Sequence, residues 1–161
     1  MLRPTLVTKP VSVSKAFLRE AMELLAIRSV IDQPQQQYKA LEYIADIIRL
    51  HPGIKIERFE QNGSPSLLAY YGTKRPERFK VLLNGHVDVV AGDRTQFEPF
   101  IANERLYGRG SLDMKVAALI LTHAFCEAAG RVPYALGLQI ATDEEPGGYD
   151  GAKYQLSLIH I

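Results

Sequence analysis

Three short segments of this chain gather acidic and imidazole side chains beside glycine: Asn84-Gly85-His86-Val87-Asp88, Gly108-Arg109-Gly110-Ser111-Leu112-Asp113 and Thr142-Asp143-Glu144-Glu145-Pro146-Gly147-Gly148. Carboxylates crowded together outside water repel one another and resist ionisation unless a cation balances them. Within the three segments the only basic groups are Arg109 and the His86 imidazole. A divalent metal is the economical balance.

Taken singly, each segment has a plainer reading. His-x-Asp suits a hydrogen-bonded corner at the end of a strand. Asp113 can cap the helix that follows it, a role compatible with ligation through one of its oxygens. The run Asp143-Glu144-Glu145 could be a solvated turn ahead of Gly147-Gly148. The Gly108-Arg109-Gly110 segment is not a dinucleotide loop, because Asp113 stands where GxGxxG needs its last glycine and no GxxxxGK lysine is present. What weighs for a shared site is that all three segments fall at the ends of strands or helices.

The elements that must position them are legible as hydrophobic patterns. Phe79 to Leu83 and Tyr134 to Ala141 read as buried strands, each running into an acidic segment, and ligands collect beyond the carboxyl ends of strands in open α/β sheets. His86, Asp88, Glu144 and Glu145 are therefore expected to face one crevice. Two amphipathic helices open the domain, one carrying Phe17, Ala21, Leu24, Leu25 and Arg28, the other Tyr38, Leu41, Ala45 and Ile48, with Pro34 in the second helix's first turn. Ile54 and Ile56 alternate with Lys55 and Glu57 ahead of a β-like run from Ser66 to Tyr71, and Asn62-Gly63-Ser64-Pro65 between them predicts a hairpin. Ala91 to Glu104 reads as a long irregular connection. Met114 to Ala129 is apolar nearly all round, which predicts a buried helix that Gly130 terminates.

The 161 residues suffice for one domain with a sizeable core, and 47% hydrophobic with 23% charged residues is ordinary for a soluble globular chain. A formal net charge of +1 excludes a general nucleic-acid or membrane surface as the partner. Residues 1–13 lack the apolar core of a signal peptide and no segment approaches membrane-spanning length, so a cytoplasmic location is expected. Cys126, the single cysteine, cannot form an internal disulfide and reads as a small buried hydrophobe.

In this order the segments resemble the M20 family of metal-dependent peptidases and deacylases. The matching text is Gly85-His86-Val87-Asp88, Leu106-Tyr107-Gly108-Arg109-Gly110-Ser111-Leu112-Asp113-Met114-Lys115, and Ala141-Thr142-Asp143-Glu144-Glu145 with Gly147, Gly148 and Gly151 after it. With Pro99-Phe100, this text is most similar to the branch holding succinyl-diaminopimelate desuccinylase, acetylornithine deacetylase and related carboxypeptidases. The resemblance implies an α/β fold with a mixed, mainly parallel twisted sheet and helices on both faces. It implies two divalent metal ions, with His86 ligating one, Glu145 the other, and Asp113 bridging them. Such imidazole and carboxylate donors favour Zn²⁺, with Co²⁺ or Mn²⁺ as alternatives. Asp88 would orient His86 by accepting its spare ring N–H, and Glu144 would be the general base. In an extended segment neighbouring side chains point opposite ways, which would separate Glu144 from Glu145. A cis Asp113–Met114 peptide is implied as well. The expected substrate is an N-acyl amino acid or small peptide cleaved at an amide bond.

The chain also departs from that family's pattern. A further carboxylate ligand, a late histidine ligand and a lid domain that helps bind substrate and form a homodimer are expected of the family and are not found within residues 1–161, which read as part of a catalytic domain. Residues 157–161 have no counterpart and read as a tail foreign to the family, His160 included. Val116 stands where a glycine is usual, and Arg28 where the first helix meets a proline. The alternative function is a metal-binding or interaction module without turnover.

Overall fold

The computed structural model describes residues 13–159. Helix α1, Lys15–Ala26, starts where the Ser14 side chain accepts the Phe17 N–H at 3.1 Å, satisfying one of the donors that a helix start leaves open. Helix α2, Pro34–Arg49, has proline at its head as predicted, where a missing N–H costs nothing. Strands β1, Ile54–Gln61, and β2, Ser64–Tyr71, form the predicted hairpin. Its two-residue turn sets Asn62 and Gly63 at φ 49° and 81°, the left-handed pair that matches strand twist.

Strand β3, Val81–His86, leads into the long connection. That connection is more regular than expected: a 3₁₀ turn at Arg94–Phe97 precedes a small hairpin of β4, Phe100–Ala102, with β5, Arg105–Tyr107. Helix α3, Lys115–Ala128, and strand β6, Leu136–Ala141, follow, and Gly130 sits at φ 76° past the helix end. The chain then makes a π-helical turn at Tyr149–Lys153 and a short α4, Tyr154–Leu158. His160 and Ile161 lie outside the described residues.

The main sheet runs β1-β2-β6-β3 and is mixed. The expectation of a mainly parallel sheet is corrected: β1–β2 and β2–β6 are antiparallel, and only β3–β6 is parallel. The physical reason is connectivity. A two-residue turn can join only antiparallel strands, whereas β3 reaches β6 through the crossover that contains α3. Both faces are covered, as expected. Leu67, Ala69, Leu138 and Ile140 pack with α1, α2 and α3, while Leu68 and Tyr70 share the opposite face with Phe79 and Ile159. Helix α3 is not buried all round, since Ile120 is exposed. Cys126 is buried, which pushes its thiol up to about 11.

One buried cation ties these layers to the acidic segments. Lys115, fully buried in the first turn of α3, donates from Nζ to the carbonyls of Leu24 and Ile27 at the carboxyl end of α1. Leu24 O also accepts the Ile27 N–H and Ile27 O the Ser29 N–H, so the lysine gives each carbonyl a second donor and joins the end of one helix to the start of another. Burial pushes its ammonium down to about 7, against the opposing pull of the Asp88 charge. A neutral amine keeps two N–H donors, enough for both carbonyls.

Unfolded lysine titrates near ~10.4. Below pH 7 both states are protonated and the burial penalty is complete. Between about pH 7 and ~10.4 the unfolded chain holds more protons, so this residue's contribution to stability rises with pH. Urea unfolding at pH 6.5 and pH 9.5 is expected to show that rise in wild type relative to Lys115→Met, by about 1.4 kcal/mol or more. Identical pH dependence in the two proteins would contradict it.

Candidate functional site

The parallel β3–β6 pair sets His86 opposite Ala141. The chain therefore leaves two neighbouring strands at the same level, and the segments after them emerge side by side. Val87 extends the ladder by one bond to Ala141 O, 3.0 Å, and buries its side chain in the core. That alternation leaves His86 and Asp88 to face the site.

His86 is buried at 4% exposure. Its Nδ1 lies 3.1 Å from the Asp88 carbonyl and 3.3 Å from Asp88 Oδ1. With Nδ1 directed at Asp88, Nε2 is the ring nitrogen that faces two carboxylates. Asp113 Oδ1 lies 3.3 Å from Nε2 and Glu144 Oε2 lies 3.6 Å from it. Burial alone would lower the imidazole's pKa. The hydrogen bond and charge of Asp88, with the Glu144 charge, outweigh it and raise the pKa to about 9.

Asp88 is buried at 1% exposure, and its Oδ2 accepts the Glu145 backbone N–H at 2.9 Å. Its Oδ1 makes no hydrogen bond of good geometry. One carboxylate thus joins the segment after β3 to the segment after β6. The carboxyl of Glu145 is raised from its ordinary value, first by burial and then by the charges of Asp88 and Asp113, with His86 pulling the other way.

The glutamates do not lie on extended chain. Gly147 N–H bonds Glu144 O at 2.8 Å and Gly148 N–H bonds Asp143 O at 2.7 Å, closing a turn over residues 144–147. The glycines permit it with φ 120° and 68°. Glu144 is brought nearer to His86 than the strand-alternation reading expected, and Glu145 is held through its backbone.

Asp113 also differs from its local reading. Met114, not Asp113, occupies the cap position of α3, without a side-chain cap bond, and the Asp113 side chain is 75% exposed. The Asp113–Met114 peptide is trans, since no cis bond occurs among the described residues. Trans is the default by about 3 kcal/mol for a non-prolyl bond, and a side chain this exposed has no packing that would hold the other form.

Several positioning groups escaped the sequence reading. Gln37 donates to Thr142 O at 2.7 Å from the start of α2, and Thr142 Oγ1 donates to Pro65 O at 2.7 Å. Asp143 is buried, and its Oδ2 accepts the N–H groups of Asp150 and Gly151, both at 2.8 Å. Ser29 Oγ donates to Val87 O. Gln37 alone left a signal, because it sits four residues before Leu41 on the apolar stripe of α2.

Among the described residues no three His, Cys, Asp or Glu side chains stand around one point at ligating distance. The donor chemistry nevertheless fits a metal. Two ligand atoms each 2.0–2.1 Å from a tetrahedral zinc are about 3.4 Å apart, which is close to the 3.3 Å separation of His86 Nε2 from Asp113 Oδ1.

The profile of peptidase family M20/M25/M40 matches residues 82–159. Succinyl-diaminopimelate desuccinylase 2 of Ruegeria sp. (strain TM1040) is 34% identical over 126 residues, covering 73% of this chain and 31% of that protein. The succinyl-diaminopimelate desuccinylase of Rickettsia canadensis (strain McKiel) is 33% identical over 159 residues, covering 89% of this chain and 40% of that protein. The crystal structure of human carnosine dipeptidase 1 superposes with a TM-score of 0.64 at 26% identity, over 83% of this chain and 33% of that one. An M20 family metallo-carboxypeptidase of Sulfolobus solfataricus shares the fold with a TM-score of 0.66 at 21% identity, over 84% and 32% of the two chains. The chain thus spans between 30 and 40% of the length of the first curated relatives it matches.

An imidazole pKa raised to about 9 means that, in protein treated with chelator, His86 stabilises the fold fully below about pH 6.5 and progressively less as the pH rises through 9. Asp88→Asn removes the main cause of the raised pKa. NMR titration of the chelated variant is expected to give a His86 pKa well below the wild-type value, and an unchanged one would refute the assigned role of Asp88.

Proposed function

The chain belongs to peptidase family M20/M25/M40, and from that membership we propose that its site serves metal-dependent hydrolysis of the amide bond in an N-acyl amino acid or small peptide. The observation that carries this reading is the placement of Asp113 and Glu144 around the outer ring nitrogen of a buried histidine, at 3.3 and 3.6 Å. Curated relatives carry desuccinylase names and a structural relative a dipeptidase name, which supports the substrate class.

His86, Asp113 and Glu145 would hold two divalent cations, with Asp113 shared. Bound there, Zn²⁺ or a similar ion supplies Lewis-acid polarisation of the amide carbonyl and a water of lowered pKa. Glu144, with its side chain 55% exposed, takes the proton of the attacking water as the carbon–oxygen bond forms. The same carboxyl then gives that proton to the amine nitrogen as the carbon–nitrogen bond breaks. Asp88 keeps the His86 Nδ1 proton in place, so that Nε2 stays a donor of electrons. Within these 161 residues each cation has one terminal ligand plus Asp113, fewer than the three protein ligands usual for catalytic zinc. Weak metal binding and slow turnover are therefore expected of this length alone, and a homodimer is expected only of a longer chain that carries a lid domain. No helix among the described residues is long and apolar enough to cross a membrane.

Assays on N-succinyl and N-acetyl amino acids, with the coding sequence extended to the relatives' length, are expected to show hydrolysis that chelator abolishes and Zn²⁺ or Co²⁺ restores. Glu144→Ala is expected to cut kcat by about a hundredfold or more at nearly unchanged metal content, whereas Glu145→Ala lowers metal occupancy. Hydrolysis insensitive to chelator, or indifferent to Glu144, would show that the chemistry is assigned wrongly.

A further inference from the structure

The sheet face that carries Leu68 and Tyr70 also holds a buried polar cluster that the hydrolytic site does not use. Ser66, Gln139 and Gln155 are fully buried, and Asp143 is 3% exposed. Leu67 pairs with Ile140 and Leu68 with Gln139, so Ser66, Gln139 and Ala141 point to the same side from neighbouring strands. The π-helical turn and the start of α4 lie over them. Gln139 Nε2 donates to Ala152 O at 3.0 Å, Gln155 Nε2 to Ser66 Oγ at 3.2 Å, and Asp143 Oδ2 accepts the Asp150 and Gly151 N–H groups. The fit is close. A Cβ at Gly151 would collide with Asp143 Oδ1 and touch the Ala141 Cβ.

The oxygens of this cluster are not all answered. Gln139 Oε1, Asp143 Oδ1 and Gln155 Oε1 are buried without a hydrogen-bond partner, where native structures pair almost every such atom. Ala152 O can only accept, so it fixes the Gln139 amide with Nε2 toward the turn and Oε1 away from it. Reversing the Gln155 amide against the Ser66 hydroxyl would turn N–H groups to the cluster but would bring no charge. Asp143 is the charged member. Its two backbone donors carry only partial charge, and among the described residues no lysine, arginine or histidine lies within salt-bridge distance of it. A carboxylate at this depth calls for a counter-charge.

We propose that Asp143, Gln139 and Gln155 bind a monovalent alkali cation, Na⁺ or K⁺, beneath the π-helical turn, at a site distinct from that of His86, Asp113 and Glu145. The donors are all oxygens, which suits a hard cation and not zinc. A single charge makes one carboxylate among neutral amides neutral as a whole, whereas a divalent ion would leave a buried excess. Asp143 directly precedes the turn over residues 144–147, so the ion would stiffen the frame on which both glutamates stand. Binding of the ion is independent of the hydrolytic reading.

The test needs neither divalent metal nor turnover. Thermal unfolding of the purified chain is compared in tetramethylammonium chloride, NaCl and KCl at equal chloride, with EDTA added as its tetramethylammonium salt to exclude divalent ions. At least one alkali ion is expected to raise Tm saturably, by about 3 °C or more over tetramethylammonium. Asp143→Asn and Gln139→Leu should each abolish that rise. Sodium NMR of the wild-type protein supplies a readout that does not require either variant to fold: the protein should broaden the Na⁺ line, and K⁺ should reverse the broadening by competition. Equal Tm in the three salts, or a sodium line that K⁺ leaves unchanged, would mean that buried water alone completes the cluster and would overturn the proposal. A cation effect that persists in both Asp143→Asn and Gln139→Leu would overturn it too, because the ion would then lie elsewhere.

Discussion

The parallel pairing of β3 with β6 is the constraint from which the site follows. Because His86 and Ala141 are partners, two chain segments distant in sequence leave the sheet at the same level. Register is what makes this productive. A slip of one residue would turn every side chain of β3 to the other face, sending Val87 out of the core and the His86 ring into it. Exposing a buried valine costs about 1.5–3 kcal/mol, and an imidazole placed against Ala118 and Ile140 would lose its hydrogen-bond partner. Core packing and site assembly thus select one register, and packing supplies the energy.

Once the segments are adjacent, their charges have to be reconciled. Four carboxylates, those of Asp88, Asp113, Glu144 and Glu145, meet one imidazole. Asp88 is the most buried of them, and its answer is threefold: it raises the pKa of His86, opposes the lowering of Lys115, and accepts the backbone N–H of Glu145. A buried charge left without partners would cost several kcal/mol. The same carboxylate therefore connects both strand ends and the start of α3. This makes Asp88 a positioning group of wider reach than an orienter of one histidine.

Periodicity made the elements legible, and glycine placement made the turns legible. The two opening helices, the Asn62-Gly63 hairpin, the strands that run into the acidic segments and the stop at Gly130 all carry signals confined to a few neighbouring residues, so they could be read without the fold. Of the two strands expected to be buried only β6 is, because β3 lies at the sheet edge and is half-buried over Val81–Leu83. Strand direction could not, because β2 pairs with β6 through contacts between residues about 70 apart. The same limit hid Thr142 and Asp143, whose partners Pro65, Gln37, Asp150 and Gly151 are tertiary or lie across a turn. His86, Asp113 and the glutamates were legible as chemistry because charged residues seldom crowd at strand ends without a function. Their geometry was not. The turn at Glu144–Gly147 depends on whether Pro146 and the glycines end the strand early, and period-two alternation is blind to that.

That turn changes how two adjacent glutamates can divide their work. On an extended strand the division would come from opposite side-chain directions, and any flexing of the strand would move both together. In the turn, the backbone is anchored on every side: Thr142 to α2 and β2, Asp143 to the π-helical turn, and the Glu145 N–H to Asp88. Only the side chains keep freedom. Glu144 projects with 55% of its side chain exposed, within reach of His86 Nε2, whereas Glu145 is partly buried and electrostatically coupled to His86, Asp88 and Asp113. On the proposed roles, Glu144 as mover of protons needs a short, repeatable swing, and Glu145 as holder of a cation needs a fixed neighbourhood. Anchoring the backbone through buried groups supplies both, since supporting contacts that lock the frame set how precisely a site can act.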